Sequence, residues 1–182
     1  MIAILMALPE ESQGFIEQTV ARHPNARVFF TGIGLLAATH KATEIIIQHQ
    51  PQRIINLGTA GSRRLPVGSV VEVNCVKNRS SCLPAYLDEW IKIPPHTSFP
   101  QVVCGSADRL DENFQSDQFD IVDMEAYAIA YVCKQKGVPL NIVKYVSDQS
   151  DSNAKNAWRE QLPQAAQKLN HVLMDFLSQP GP

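Results

Sequence analysis

The chain has 182 residues, 45% of them hydrophobic and 19% charged, a balance that supports a buried core and excludes a disordered polymer. Sixteen Lys and Arg against eighteen Asp and Glu leave a net charge of -2, which argues against binding nucleic acid by phosphate neutralisation. No apolar run approaches the roughly 20 residues that span a bilayer, so no membrane association is expected. The apolar start Met1–Leu8 runs into Glu10 and Glu11 with no basic leader, a poor signal peptide. Four cysteines (Cys75, Cys82, Cys104, Cys133) form no C-x-x-C pair and no histidine stands at ligand spacing, which predicts reduced thiols, a cytoplasmic protein, and neither metal nor other cofactor.

In chain order, Ile2–Ala7 reads as a strand, Pro9–Val20 as a helix and Arg27–Thr31 as a strand. Leu35–His49 places Leu35, Ala38, Ala42, Ile45 and Ile46 on one helical face and stops at Pro51. Arg53–Leu57 is a strand ended by the glycines of Gly58-Thr59-Ala60-Gly61, and Ser69–Asn74 is another. The stretch 77–100, with four prolines, reads as a long loop or irregular insertion. Short strands follow at Gln101–Cys104 and Asp120–Val122. Met124–Lys136 is a helix with Gly137 and Pro139 as its stop signal. Leu140–Val146 is apolar on both faces, as a central strand would be. Ala165, Ala166, Leu169, Val172, Leu173 and Phe176 mark a last helix that Pro163 would open, and the tail 179–182 should fray. There is no internal repeat. The expectation is one α/β domain over residues 1–182, a central mixed twisted sheet between layers of helices.

Two glycine-rich segments follow strands. Thr31–Ala37 fits G-x-G-x-x-A, but the next strand ends in Asn56-Leu57-Gly58-Thr59 rather than in a ribose-binding acid, which disfavours a dinucleotide fold. These glycines either let backbone approach a ligand or merely permit a tight turn. Together with Gly58–Gly61 they suit a pocket at the carboxyl edge of an open sheet. The acids Asp123 and Glu125 sit where a strand hands over to a helix, and Asp148 follows an apolar strand. Glu10 and Glu11 open a helix, where the helix dipole alone favours carboxylates.

These blocks, in this order, resemble the nucleoside phosphorylase/nucleosidase superfamily, and within it the 5'-methylthioadenosine/S-adenosylhomocysteine nucleosidases. The resemblance rests on Ala7–Glu11, Thr31–Gly34, Ile54–Gly61, Val67–Val71, Val122–Ala130 and Val146–Asp148. It implies hydrolysis of a purine nucleoside's N-glycosidic bond, with Glu11 as the general base that activates water. Asp148 corresponds to the acid that protonates N7 of the leaving purine, with Ser147 orienting it. Glu125 corresponds to the ribose-binding carboxylate, Met124 to the apolar floor under the sugar, Thr59 to a ribosyl-side contact, and Asp123 to a further substrate-side residue. The chemistry suits these residue types, because an oxocarbenium-like sugar and a departing base need a carboxylate at one end and an acid at the other. A homodimer is also implied.

The chain departs from the family in several places. It is shortened between Asn74 and Gln101, and Ser106-Ala107-Asp108-Arg109 lacks the expected base-stacking aromatic. Asp123 replaces a longer Glu, and Lys144 replaces an arginine. Asn56 stands where the phosphorylases carry a phosphate-binding arginine, which favours water over phosphate. Trp90 and Tyr86 offer a substitute wall or plain apolar packing. A phosphorylase and a non-catalytic nucleoside-binding protein are the alternative readings.

Overall fold

The computed structural model describes residues 1–80, 90–109 and 116–178. Its elements run β1 (Ile2–Met6), α1 (Pro9–Ser12), α2 (Phe15–Val20), β2 (Ala26–Phe30), α3 (Leu35–His49), β3 (Arg53–Gly61) and β4 (Val70–Asn78). They continue with β5 (Trp90–Lys92), β6 (Gln101–Ser106), β7 (Ile121–Asp123), α4 (Ala126–Lys136), β8 (Leu140–Asp148) and α5 (Ala154–Ser178).

Among the described residues the strands form one mixed sheet. β1 pairs in parallel with β2 and β3, and β3 pairs in parallel with β8. β8 then runs antiparallel to β4, β4 parallel to β6, and β6 parallel to β7. Gly61 of β3 pairs back onto Val122 of β7. Strands β3, β8, β4, β6 and β7 therefore close a ring, which brings the last residues of β3, β7 and β8 together.

Strand alternation assigns the two faces of the sheet. Ile4, Met6, Ile55, Leu57 and Tyr145 pack against Leu169, Leu173 and Phe176 of α5 and Ile16 of α2. Ala3, Leu5 and Ile54 face the other way, onto Ala38, Ala42 and Ile45 of α3 and Ile129 and Val132 of α4. A third cluster joins Val71, Val73, Cys104, Ile142 and Val146 to Ala126 and Ala130 of α4. Full burial of each large aliphatic side chain contributes about 1.5–3 kcal/mol. The result is the expected α/β architecture of helices on both faces of a mixed sheet.

Four local expectations are corrected. The helix over Pro9–Val20 breaks in two, because Gln13 and Gly14 both take left-handed conformations. The segment Gly58–Gly61 is no turn: β3 continues through Gly61, paired along its length with β8. Pro163 lies inside α5 rather than at its start. It is solvent-exposed, so the carbonyl its missing N–H leaves unpaired can reach water. The supposed loop 77–100 contains β5, and its end is pinned by buried Glu72. That carboxylate accepts hydrogen bonds from His96 N, Thr97 N, Thr97 Oγ1 and Gln101 Nε2 at 2.8–2.9 Å. Tyr86 and the tail 179–182 lie outside the described residues.

Candidate active site

The site grows from the carboxyl ends of the sheet. Strand β7 delivers Asp123 and Met124 to the start of α4, where Glu125 takes the N-cap position. Asp123 Oδ2 accepts a hydrogen bond from Ala126 N at 2.9 Å, satisfying a helix-terminal donor. The same oxygen lies 2.8 Å from Lys144 Nζ, both residues being buried. Ser106 Oγ and Cys104 Sγ donate to Oδ1 at 2.5 and 3.4 Å. Burial opposes the Asp123 charge, but the Lys144 ammonium outweighs it, helped by the hydrogen bonds from Ser106 and Ala126, and holds the carboxyl below its ordinary value. Burial likewise opposes the Lys144 charge, and Asp123 with Glu125 overrides it, so the ammonium titrates above the usual lysine range.

Glu125 receives no such direct partner. Its Oε1 accepts the Gly34 N–H at 2.8 Å. Burial first, then the neighbouring Asp123 charge, push its carboxyl up to about 8, so it is mostly protonated at neutral pH. Gly34 requires glycine: its φ is 97°, and a β-carbon there would lie 2.5 Å from Asp108 Oδ1. Asp108 in turn accepts the Leu35 N–H and fastens the start of α3 to the β6–β7 connection.

Glu11 lies in the short α1 with 4% of its surface exposed. Its Oε1 accepts from Thr59 N at 2.9 Å and Thr59 Oγ1 at 2.7 Å. Its Oε2 accepts from Ala7 N at 3.2 Å and Leu8 N at 3.3 Å. The indole Nε1 of Trp158, in α5, donates to Thr59 Oγ1 at 3.0 Å. The chain Trp158–Thr59–Glu11 thus ties the carboxylate to α5. Gly58 makes room for it, since a β-carbon there would meet Lys144 Nζ at 3.3 Å and Glu11 Oε1 at 3.4 Å.

Asp148 is the last residue of β8. Its Oδ2 accepts from Ser147 Oγ at 2.8 Å and its Oδ1 from Ser150 N at 2.9 Å. Ser147 Oγ also lies 3.4 Å from the Ala60 carbonyl. A hydroxyl between a carbonyl and a carboxyl serves both protonation states: it donates to an ionised Asp148, or accepts from a protonated one while donating to Ala60. Asp123, Met124 and Asp148 line one open cleft of ≈ 280 Å³, with Gly61 and Ser150. Arg79 and Arg109 line it too, Arg109 standing in the block that lacks the expected aromatic. A wider cleft of ≈ 730 Å³ adjoins through Gly61 and Val122 and reaches Arg63 and Arg64. Arg64 pairs with Asp120 at 3.2 Å.

Of the residues singled out from sequence, Asp123, Met124 and Asp148 share the cleft, and Ser147 backs Asp148. Thr59 touches Glu11, and the Lys144 ammonium links Asp123 to Glu125 electrostatically. Trp90 stands on β5 and stacks on Phe119 with ring centroids 5.8 Å apart. Trp158 and Ser150 went unnoticed in the sequence. Trp158 sits on an amphipathic helix where nothing distinguishes it from a packing residue, and only the loop geometry after β8 singles out Ser150. Among the described residues no group of three or more His, Cys, Asp or Glu is placed to hold a metal ion.

A family model described as "Phosphorylase superfamily" matches residues 95–178. The chain is 27% identical to a 5'-methylthioadenosine/S-adenosylhomocysteine nucleosidase of Haemophilus ducreyi over 180 residues, covering 81% of this chain and 78% of that protein. Its fold matches the 5'-methylthioadenosine/S-adenosylhomocysteine nucleosidase of Streptococcus pneumoniae solved with a transition-state inhibitor, at a TM-score of 0.84, 18% identity and 97% coverage of both chains. It also matches a futalosine hydrolase mutant of Helicobacter pylori at a TM-score of 0.83 and 19% identity, covering 95% of this chain and 96% of that one. With the ordered motifs and the ring of strands that gathers them, these likenesses make the chain similar in sequence and in fold to the nucleoside phosphorylase/nucleosidase superfamily.

Proposed function

We propose that this protein hydrolyses the N-glycosidic bond of a purine nucleoside of the methylthioadenosine, S-adenosylhomocysteine or related adenosine type and releases the base. The observation that carries the reading is the meeting of Asp148 from β8 with Asp123 and Met124 from β7 on one cleft. In this reading Asp148 gives its proton to N7 of the purine while Ser147 holds the carboxyl. Glu11, held by Thr59, takes a proton from the attacking water. Glu125 bonds the ribose hydroxyls: its protonated carboxyl can donate and accept, and Oε1 is already held by Gly34. Met124 supplies the apolar surface under the sugar, and Asp123, neutralised by Lys144, sets the position of Glu125.

Free base released from methylthioadenosine, S-adenosylhomocysteine, adenosine and inosine tests the reading. General acid or base catalysis is worth about 10²–10⁴-fold per group, so Asp148→Asn and Glu11→Gln should each lower kcat by that order with the fold intact by circular dichroism. No base from any of the four with well-folded wild-type protein would overturn it. Water rather than phosphate is the nucleophile in this reading, because Asn56 is neutral, buried and engaged, its Nδ2 donating to the Leu5 carbonyl at 3.0 Å. Phosphate-dependent formation of ribose 1-phosphate would reverse that assignment. Nucleoside binding without turnover would favour the non-catalytic alternative, whose motive is the shortened segment between Asn74 and Gln101 and the missing base-stacking aromatic.

The chain forms one domain in this reading and works in the cytoplasm, in keeping with free Cys75, Cys104 and Cys133. It pairs as a homodimer through the surface around Ile33 and Leu36, which stand exposed on either side of Gly34.

A further inference from the structure

We propose that Ser150 is a base-recognition residue whose hydroxyl bonds the substituent on C6 of the purine while Asp148 addresses the adjacent ring nitrogen. The inference rests on the nucleosidase reading and names a determinant of its specificity. Ser150 is 2% exposed, lines the same cleft as Asp148, and among the described residues its Oγ has no hydrogen-bond partner. A buried hydroxyl without a partner costs free energy that a purely structural residue would not retain, because alanine would fill the same space without it. The backbone is also unfavourable there: φ is 50°, a left-handed conformation uncommon outside glycine. That conformation is fixed by the Ser150 N–H donating to Asp148 Oδ1.

Gly61 completes the arrangement. A β-carbon at Gly61 would lie 2.3 Å from Ser150 Oγ and 2.6 Å from Asp148 Oδ1. Glycine therefore leaves a notch at the end of β3 that two oxygens from different residues face together. The Hoogsteen edge of a purine presents the same pairing, with N7 of the five-membered ring beside the C6 substituent of the six-membered ring. A hydroxyl donates as well as accepts, so Ser150 suits 6-amino and 6-oxo purines alike.

The test compares wild type, Ser150→Ala and Ser150→Gly on methylthioadenosine, inosine and purine riboside, which lacks a C6 substituent. The expected result is a kcat/KM lowered on the order of tenfold for the first two substrates in both variants, with purine riboside unaffected. Urea midpoints should equal or exceed that of wild type, since each variant removes the buried hydroxyl. An equal penalty on all three substrates, or none on any, would overturn the proposal. So would a loss confined to Ser150→Ala, which would point to the backbone conformation. Should wild type release no base, the nucleosidase reading fails by itself. Calorimetry with adenine then decides the Ser150 assignment: weaker binding by Ser150→Ala than by wild type upholds the base pocket, and unchanged binding or none by wild type overturns it.

Discussion

Around Lys144 two neighbouring carboxylic acids, Asp123 and Glu125, share one ammonium, and the electrostatics separates their roles. Asp123, in direct contact, stays charged, whereas Glu125, deprived of that contact, keeps its proton to about pH 8. The unfolded chain would release the Glu125 proton near the ordinary 4.5. Between these two values the folded state binds a proton that the unfolded state has lost, so stability falls as pH rises. The contribution is complete below 4.5 and gone once the pH has passed through 8. Glu125→Gln copies the protonated form permanently. Urea unfolding across pH 4.5 to 9 should find the variant close to wild type at the acid end and increasingly more stable toward the alkaline end. A constant difference across the range would show that Glu125 titrates normally. Asp123 and Glu125 were both legible as acids at a strand-to-helix junction. Their division into a charged and a neutral carboxyl was not, because it depends on a lysine that follows them by about two elements of chain.

At the scale of elements, periodicity identified α3, α4 and the buried strand β8 well, because each is long and patterned by the face it buries. It failed where backbone pairing or a neighbour overrides local preference. The glycines of Gly58–Gly61 signal a turn in isolation, yet β8 supplies a complete ladder of partners and the strand persists. Their missing side chains make room for Glu11, Lys144, Asp148 and Ser150 instead. In α5, Pro163 was read as a helix start, but burial of Ala154 and Leu162 ahead of it holds an earlier beginning together. An interior proline forfeits one helical hydrogen bond. Pro163→Ala should therefore raise stability by up to about 3 kcal/mol in urea unfolding and leave base release unchanged. A destabilised variant would show instead that the proline sets the bend with which α5 follows the sheet.

On the scale of the whole molecule, ring closure between Gly61 and Val122 assembles the cleft: it brings the ends of β3, β7 and β8 to one place. The proposed subunit contact lies close to Glu125, because Leu36, 82% exposed, follows the Gly34 that holds this carboxyl. Sedimentation velocity should show a dimer for wild type and a monomer for Leu36→Glu. Identical sedimentation of the two proteins would place any pairing elsewhere.

The order of short motifs along the chain determined the family resemblance, the α/β architecture and the identity of the acids, because these are properties of local pattern and residue type. Tertiary structure alone decided which donors hold each acid, that Trp158 supports Glu11 through Thr59, and that the Ser150 hydroxyl shares a notch with Asp148. Those relations join residues far apart in the chain, and the distances between them arise only when β3, β7 and β8 close on one another.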